Sequence, residues 1–69
     1  MIDFDLPRSE IEHLIDEWIF NERDRKVLKR RLLDGIIYES LAEEFNLSVR
    51  HVKAIVKKGE ERLFLKIKT

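Results

Sequence analysis

The twenty residues from Tyr38 to Lys57 prescribe two helices, the stop between them and the restart. Leu41, Phe45, Leu47, Val52 and Ile55 stand at the spacings that let two crossing helices bury their apolar sides against each other and against a supporting bundle. Ala42 falls where the helices come closest, so a longer side chain there would push them apart. Asn46 lies at the turn, where one residue must adopt the left-handed conformation; after glycine, asparagine tolerates it best. Ser48 follows as an N-cap, its hydroxyl accepting from an otherwise unpaired amide of the next helix. Together these positions have the pattern of a helix-turn-helix, the unit that lays its second helix in the DNA major groove. Each feature alone recurs in ordinary helical hairpins; their agreement over one segment carries the reading.

The remainder of the chain reads as helical support. Pro7 can open a first helix, along which Ile11, Leu14, Ile15, Trp18 and Ile19 recur at three- and four-residue steps. Asn21 can cap a second, with Asp24 three residues on and Glu22 four residues before Lys26 in the favourable ion-pair order. Val27, Leu28 and Leu32 give that helix its buried side, and Asp34-Gly35 ends it, with glycine as the left-handed closing residue. A third helix is expected from Tyr38 to Phe45, and a fourth from Val49 to beyond Arg62. On the fourth, Val52, Ile55, Val56, Gly59 and Leu63 form an apolar stripe, while Arg50, Lys53, Ala54, Lys57 and Lys58 spread over the opposite side. Phe64, Leu65 and Ile67 break this register. The favoured expectation is that the helix stops near Arg62 and the tail folds back over the first helix; the alternative is an apolar surface offered to a partner. The fold class is therefore all-α: a small four-helix bundle, or five helices if the tail forms one, with the recognition helix beginning near Val49.

At 69 residues the chain is one domain near the lower size limit for independent folding, and it has no cysteine to supply a disulfide or a thiolate metal site. It divides into an acidic amphipathic unit, residues 1–20, and the helix-turn-helix unit, residues 21–66. The acidic start contains no long apolar run, so no membrane association is expected and a cytoplasmic location is the default. Net charge is zero, which on its face argues against a polyanionic partner, but the charge is segregated. Residues 1–24 carry eight acids against two bases, and the remainder twelve bases against six acids. Although acids make up a fifth of the chain, none falls between Ser48 and Lys58. Such asymmetry is more informative than the sum.

From about Asn21 to Leu65 the sequence resembles region 4 of bacterial RNA polymerase sigma factors, and more loosely the DNA-binding domain of LuxR-type regulators. The resemblance is carried by Asn-Glu-Arg-Asp-Arg-Lys-Val-Leu-Lys-Arg-Arg-Leu (21–32), Asp34-Gly35, Tyr38-Glu-Ser-Leu-Ala-Glu-Glu-Phe, Leu47-Ser-Val-Arg-His-Val-Lys53 and Glu61-Arg-Leu63. It implies a segment that reads promoter DNA near the −35 element and can touch the polymerase flap, so double-stranded DNA and RNA polymerase are the implied partners. Two departures stand out. Ile36-Ile37 occupy the place where the family commonly puts a capping serine or threonine, and no further sigma region is present. The resemblance thus implies a stand-alone region 4-like transcriptional regulator of the kind that phages and mobile elements carry.

In the family arrangement the amino end of the recognition helix meets base edges, which assigns Val49, Arg50, His51, Lys53 and Ala54 to base contacts. Arg50 is suited to a bidentate contact with guanine, and Val49 and Ala54 to thymine methyls. Lys57 and Lys58, with Arg25, Lys29 and Arg30 of the second helix, are placed for phosphates, and Ser48 brings free amides toward one. The first helix is expected to pack its apolar face, Trp18 included, on the helix-turn-helix and to leave Glu12, Asp16 and Glu17 in water. A contact of this acidic face with a protein is the alternative.

Catalysis and cofactors are not expected. His13 and Glu17, one turn apart, are too few ligands for a metal site, and His51 has no acidic neighbour in sequence. Ser9, Ser40 and Ser48 lack a histidine partner, and Gly35 and Gly59 are too far apart for a phosphate loop. The alternatives to a DNA-binding regulator are a module docking on RNA polymerase or another protein and an accessory DNA-binding protein of a phage. A single unit contacts few base pairs, so tight specific binding calls for a homodimer or a larger partner.

Overall fold

The structure, a computed structural model, describes residues 6–68, with side chains described through residue 66. Four helices follow in order: α1 (Arg8–Trp18), α2 (Glu22–Leu32), α3 (Tyr38–Phe45) and α4 (Val49–Lys68). No strand occurs among the described residues. The N-terminal five residues of the expected acidic unit lie outside the described part.

Local chemistry sets the helix boundaries. Pro7 takes the N-cap position of α1, and its carbonyl accepts from Glu10 and Ile11. Asn21 caps α2, its side-chain oxygen accepting from the Asp24 amide at 3.1 Å. Gly35, at φ 67°, turns the chain out of α2 while its amide reaches the Arg31 carbonyl. Asn46 is left-handed, φ 56° and ψ 47°, and the following Leu47 amide returns to the Ala42 carbonyl at 2.8 Å. Ser48 Oγ accepts from the His51 amide at 3.1 Å. As the sequence indicates, α3 has no side-chain cap: Ile37 stands at its N-cap position.

Packing centres on α4, which touches each of the other three helices. Ile15, Val27, Leu28, Leu41, Val52, Val56 and Leu63 are fully buried, and Ile11, Ile19, Ala42 and Ile55 complete the core. Trp18, Phe45, Leu47 and Val49 pack against it from the edge. Gly59 marks the tightest crossing: a Cβ placed there would lie 2.4 Å from a Leu28 methyl, so α2 and α4 approach as they do only because this residue has no side chain. Glu60 is also buried, at 7 % exposure, on the flank of the apolar stripe.

The tail corrects one expectation. α4 does not stop near Arg62 but continues to Lys68, so no fifth helix and no fold-back forms among the described residues. Nothing between Leu63 and Lys68 breaks a helix, and local hydrogen bonding carries it past the end of its apolar stripe. Phe64 and Leu65 are consequently exposed, Leu65 by 63 %. Ile67 lies outside the described side chains.

Candidate nucleic-acid interface

α4 is oriented by its buried stripe. Because Val52, Ile55, Val56, Gly59 and Leu63 face the bundle, the 3.6-residue repeat turns Arg50, Lys53, Ala54, Lys57 and Lys58 outward, and all five are exposed. His51 is exposed as well, whereas Val49 is half-buried against the core. The Ser48 cap fixes the amino end of this helix at the turn, where its first amides are accessible.

The distribution of ion pairs separates α2 from α4. On α2, Lys29 binds Asp16 of α1 at 2.7 Å, Arg30 binds Glu44 of α3 at 2.8 Å and reaches Asp34, and Lys26 lies 3.7 Å from Glu22. Arg25 donates through Nε to the Ile19 carbonyl, which ties it to the end of α1. On α4, Arg50, Lys53, Lys57 and Lys58 have no carboxylate partner among the described residues. One acid of α1, Asp16, and one of α3, Glu44, thus offset charge on α2, while the positive charge of the exposed α4 face stays available to solvent. Hydrogen bonding to Lys29 also holds the Asp16 carboxyl below its ordinary value of 3.8.

The residues assigned from sequence therefore fall into two groups. Ser48, Arg50, His51, Lys53, Ala54, Lys57 and Lys58 share one accessible surface, with Val49 at its inner edge. Arg25, Lys29 and Arg30 lie on α2, where each already has an intramolecular partner, so a phosphate would have to compete for it. Sequence spacing put these three on an accessible helix face but gave no sign of the carboxylates brought in from α1 and α3. It also missed Arg31 and Tyr38. The Arg31 guanidinium carbon sits 4.3 Å from the centre of the Tyr38 ring, and the Lys53 ammonium lies 5.6 Å from the same ring.

Beside this face, a groove of about 420 Å³ runs between the α1–α2 connection and α4; its floor includes Ile19, Leu28 and Ile55, and its rim Phe20, Lys58 and Arg62. Arg62 donates to the Trp18 carbonyl at 3.3 Å and lies over the Phe20 ring. His13 and Glu17 are 3.2 Å apart on the exposed side of α1, and no cluster of three metal-ligating side chains occurs among the described residues. No helix among them is long and apolar enough to cross a membrane.

A stop at Asn46, a cap at Ser48 and, on the helix that follows, a cationic face with no carboxylate partner among the described residues are the working parts of a helix-turn-helix that meets DNA. Comparison with individual curated proteins and with solved structures gives no match. The sequence model of the family described as sigma-70, region 4, matches residues 20–64, about two thirds of the chain, and the chain belongs to this family of DNA-binding helix-turn-helix domains.

Proposed function

We propose that the chain is a DNA-binding transcriptional regulator that inserts the amino-terminal half of α4 in the major groove. The observation that carries this reading is that Arg50, Lys53, Lys57 and Lys58 have no carboxylate partner among the described residues, in a chain whose net charge is zero. Phosphate contacts release counterions, and a cation already neutralised by a carboxylate has little to contribute to that release. Arg50, at the open amino end of α4, is the base reader, with His51 and Ala54 beside it and the Val49 methyls at the edge. Lys57 and Lys58, a turn or more further along, hold the backbone, and the Ser48 region brings helix amides to a phosphate. Arg25, Lys29 and Arg30 are secondary backbone contacts whose intramolecular partners weaken them. The reaction class is binding, with no catalytic step and no cofactor; the working location is the cytoplasm, where an accessory protein of a phage or mobile element would meet its DNA.

A titration of a random duplex at several salt concentrations tests this. Affinity is expected to fall steeply between about 50 and 200 mM salt. Absence of retention at the lowest salt would contradict it.

A second reading, a module that docks on RNA polymerase or on a second copy, is favoured by one observation. Phe20 is 70 % exposed, and Phe64 and Leu65 are exposed too, as is Ile37 at the start of α3. Phe64 and Leu65 lie beyond the basic run, toward the far end of α4, whereas Phe20 shares its groove with His51 and Lys58, so a partner seated on Phe20 would compete with DNA there.

A further inference from the structure

Tyr38 stands at the start of α3, half-buried, between a cation from α2 and a cation from α4. One ring therefore joins the three helices that the family match covers. Arg31 donates through Nη1 to the Ile36 carbonyl at 3.0 Å, and its Nε is buried without an acceptor. Neither Arg31 nor Lys53 has a carboxylate partner among the described residues; Glu39, in the first turn of α3, pairs with neither. Their separations from the ring centre keep the two charges within about 10 Å of each other, about one Debye length at 0.1 M salt, so their repulsion is only partly screened. An anion relieves that repulsion.

The placement of Lys53 on α4 gives the anion its identity. Lys53 follows the fully buried Val52, so it lies about 100° round the helix from the core direction, on the flank turned to α3, while Arg50 and Lys57 occupy the outer pole. A base edge at the floor of the groove faces the pole; a backbone phosphate at the groove wall faces the flank. We propose that Tyr38 is a positioning residue that draws Lys53 and Arg31 into a paired clamp for one DNA phosphate, which makes Lys53 a reader of the backbone and not of base edges. This rests on the DNA-binding reading above and removes Lys53 from the base contacts assigned by family position.

The test has two arms. In the free protein, proton NMR reads the Lys53 ε-methylene group, which the Tyr38 ring shifts upfield in the wild type and in Tyr38→Phe but not in Tyr38→Leu. In the second arm, affinities for a selected duplex and a scrambled one are measured for Lys53→Ala, Tyr38→Phe, Tyr38→Leu and Tyr38→Leu/Lys53→Ala, with thermal melting to confirm that each variant folds. Lys53→Ala weakens both duplexes by the same factor and lowers the salt slope by about 1. Tyr38→Leu weakens both by about two- to fivefold, Tyr38→Phe by less, and Tyr38→Leu costs less in the Lys53→Ala background than alone. An unshifted Lys53 signal in the wild type, fully additive losses, or a Lys53→Ala loss confined to the selected duplex overturns the clamp. If Tyr38→Leu does not fold, the wild-type NMR signal and the Lys53→Ala comparison still decide it. Should the wild type bind neither duplex, the DNA-binding reading falls with it; should it bind both while the clamp signatures fail, the clamp alone falls.

Discussion

Arg50 and Lys57 stand two turns apart on one helix face, yet they make different demands on DNA. A guanidinium forks onto two acceptors of guanine and loses that fit on any other base, whereas an ammonium held against a phosphate is indifferent to sequence. Arg50→Ala is therefore expected to cost about 1–3 kcal/mol on the selected site and much less on random duplex, so that preference relaxes. Equal losses on both, measured by competition binding, would remove Arg50 from base reading. Lys57→Ala is expected to weaken all duplexes alike and to lower the salt slope by about 1. Gly59 poses a question of stability. Alanine gains about 1 kcal/mol of helix propensity over glycine, but here its methyl would overlap the Leu28 side chain down to its branch carbon, so Leu28 would have to move. Overpacking of about 1–3 kcal/mol outweighs the gain, so Gly59→Ala is expected to lower the melting temperature. An unchanged or raised value would show that α2 and α4 can separate without loss.

Among the elements, what could be read from sequence was what short-range chemistry decides. The caps at Asn21 and Ser48, the left-handed Asn46, the closing Gly35 and the uncapped start of α3 each involve partners within a few residues, and each appears in the fold where its residue type places it. The favoured expectation for the tail, a stop near Arg62 and a fold-back, required burial of its apolar side chains, whereas an α-helix needs only its own backbone bonds to continue; Phe64 and Leu65 are accordingly exposed. The partners of Lys29 and Arg30 were not legible at all, since Asp16 and Glu44 approach only once the helices are docked. Ser48→Ala is expected to cost about 1 kcal/mol by leaving the His51 amide without its acceptor, seen as a lower melting temperature. The Asp16–Lys29 pair links α1 to α2 in a pH-dependent way. Because folding lowers the carboxyl below its ordinary value of 3.8, its stabilising effect is fully present above that value and fades as pH falls through the lowered one. Asp16→Asn is thus expected to differ from wild type at neutral pH and to converge with it in acid. A difference that persists at the lowest accessible pH would mean that the asparagine disturbs packing and not charge.

For the molecule as a whole, zero net charge conceals a division of labour. One carboxylate each from α1 and α3 pairs with Lys29 and Arg30 of α2, whereas Arg50, Lys53, Lys57 and Lys58 of α4 have no carboxylate partner among the described residues, so the positive charge is concentrated on α4. Sequence showed the segregation of acids and bases, but which bases stay unpaired depended on helix docking. The exposed Phe64 and Leu65 leave a protein partner as an additional role, outside the basic run, whereas the exposed Phe20 borders that run at Lys58. The decisive property of the molecule is where DNA touches its surface. Amide chemical-shift mapping of the labelled protein, titrated at low salt with a duplex selected from a random pool, reads this directly. It is expected to perturb residues 48–58 together with the start of α3 and to leave the outer face of α1 unchanged. Perturbations confined to Phe64 and Leu65 at the far end of α4, or none between residues 48 and 58, would contradict it.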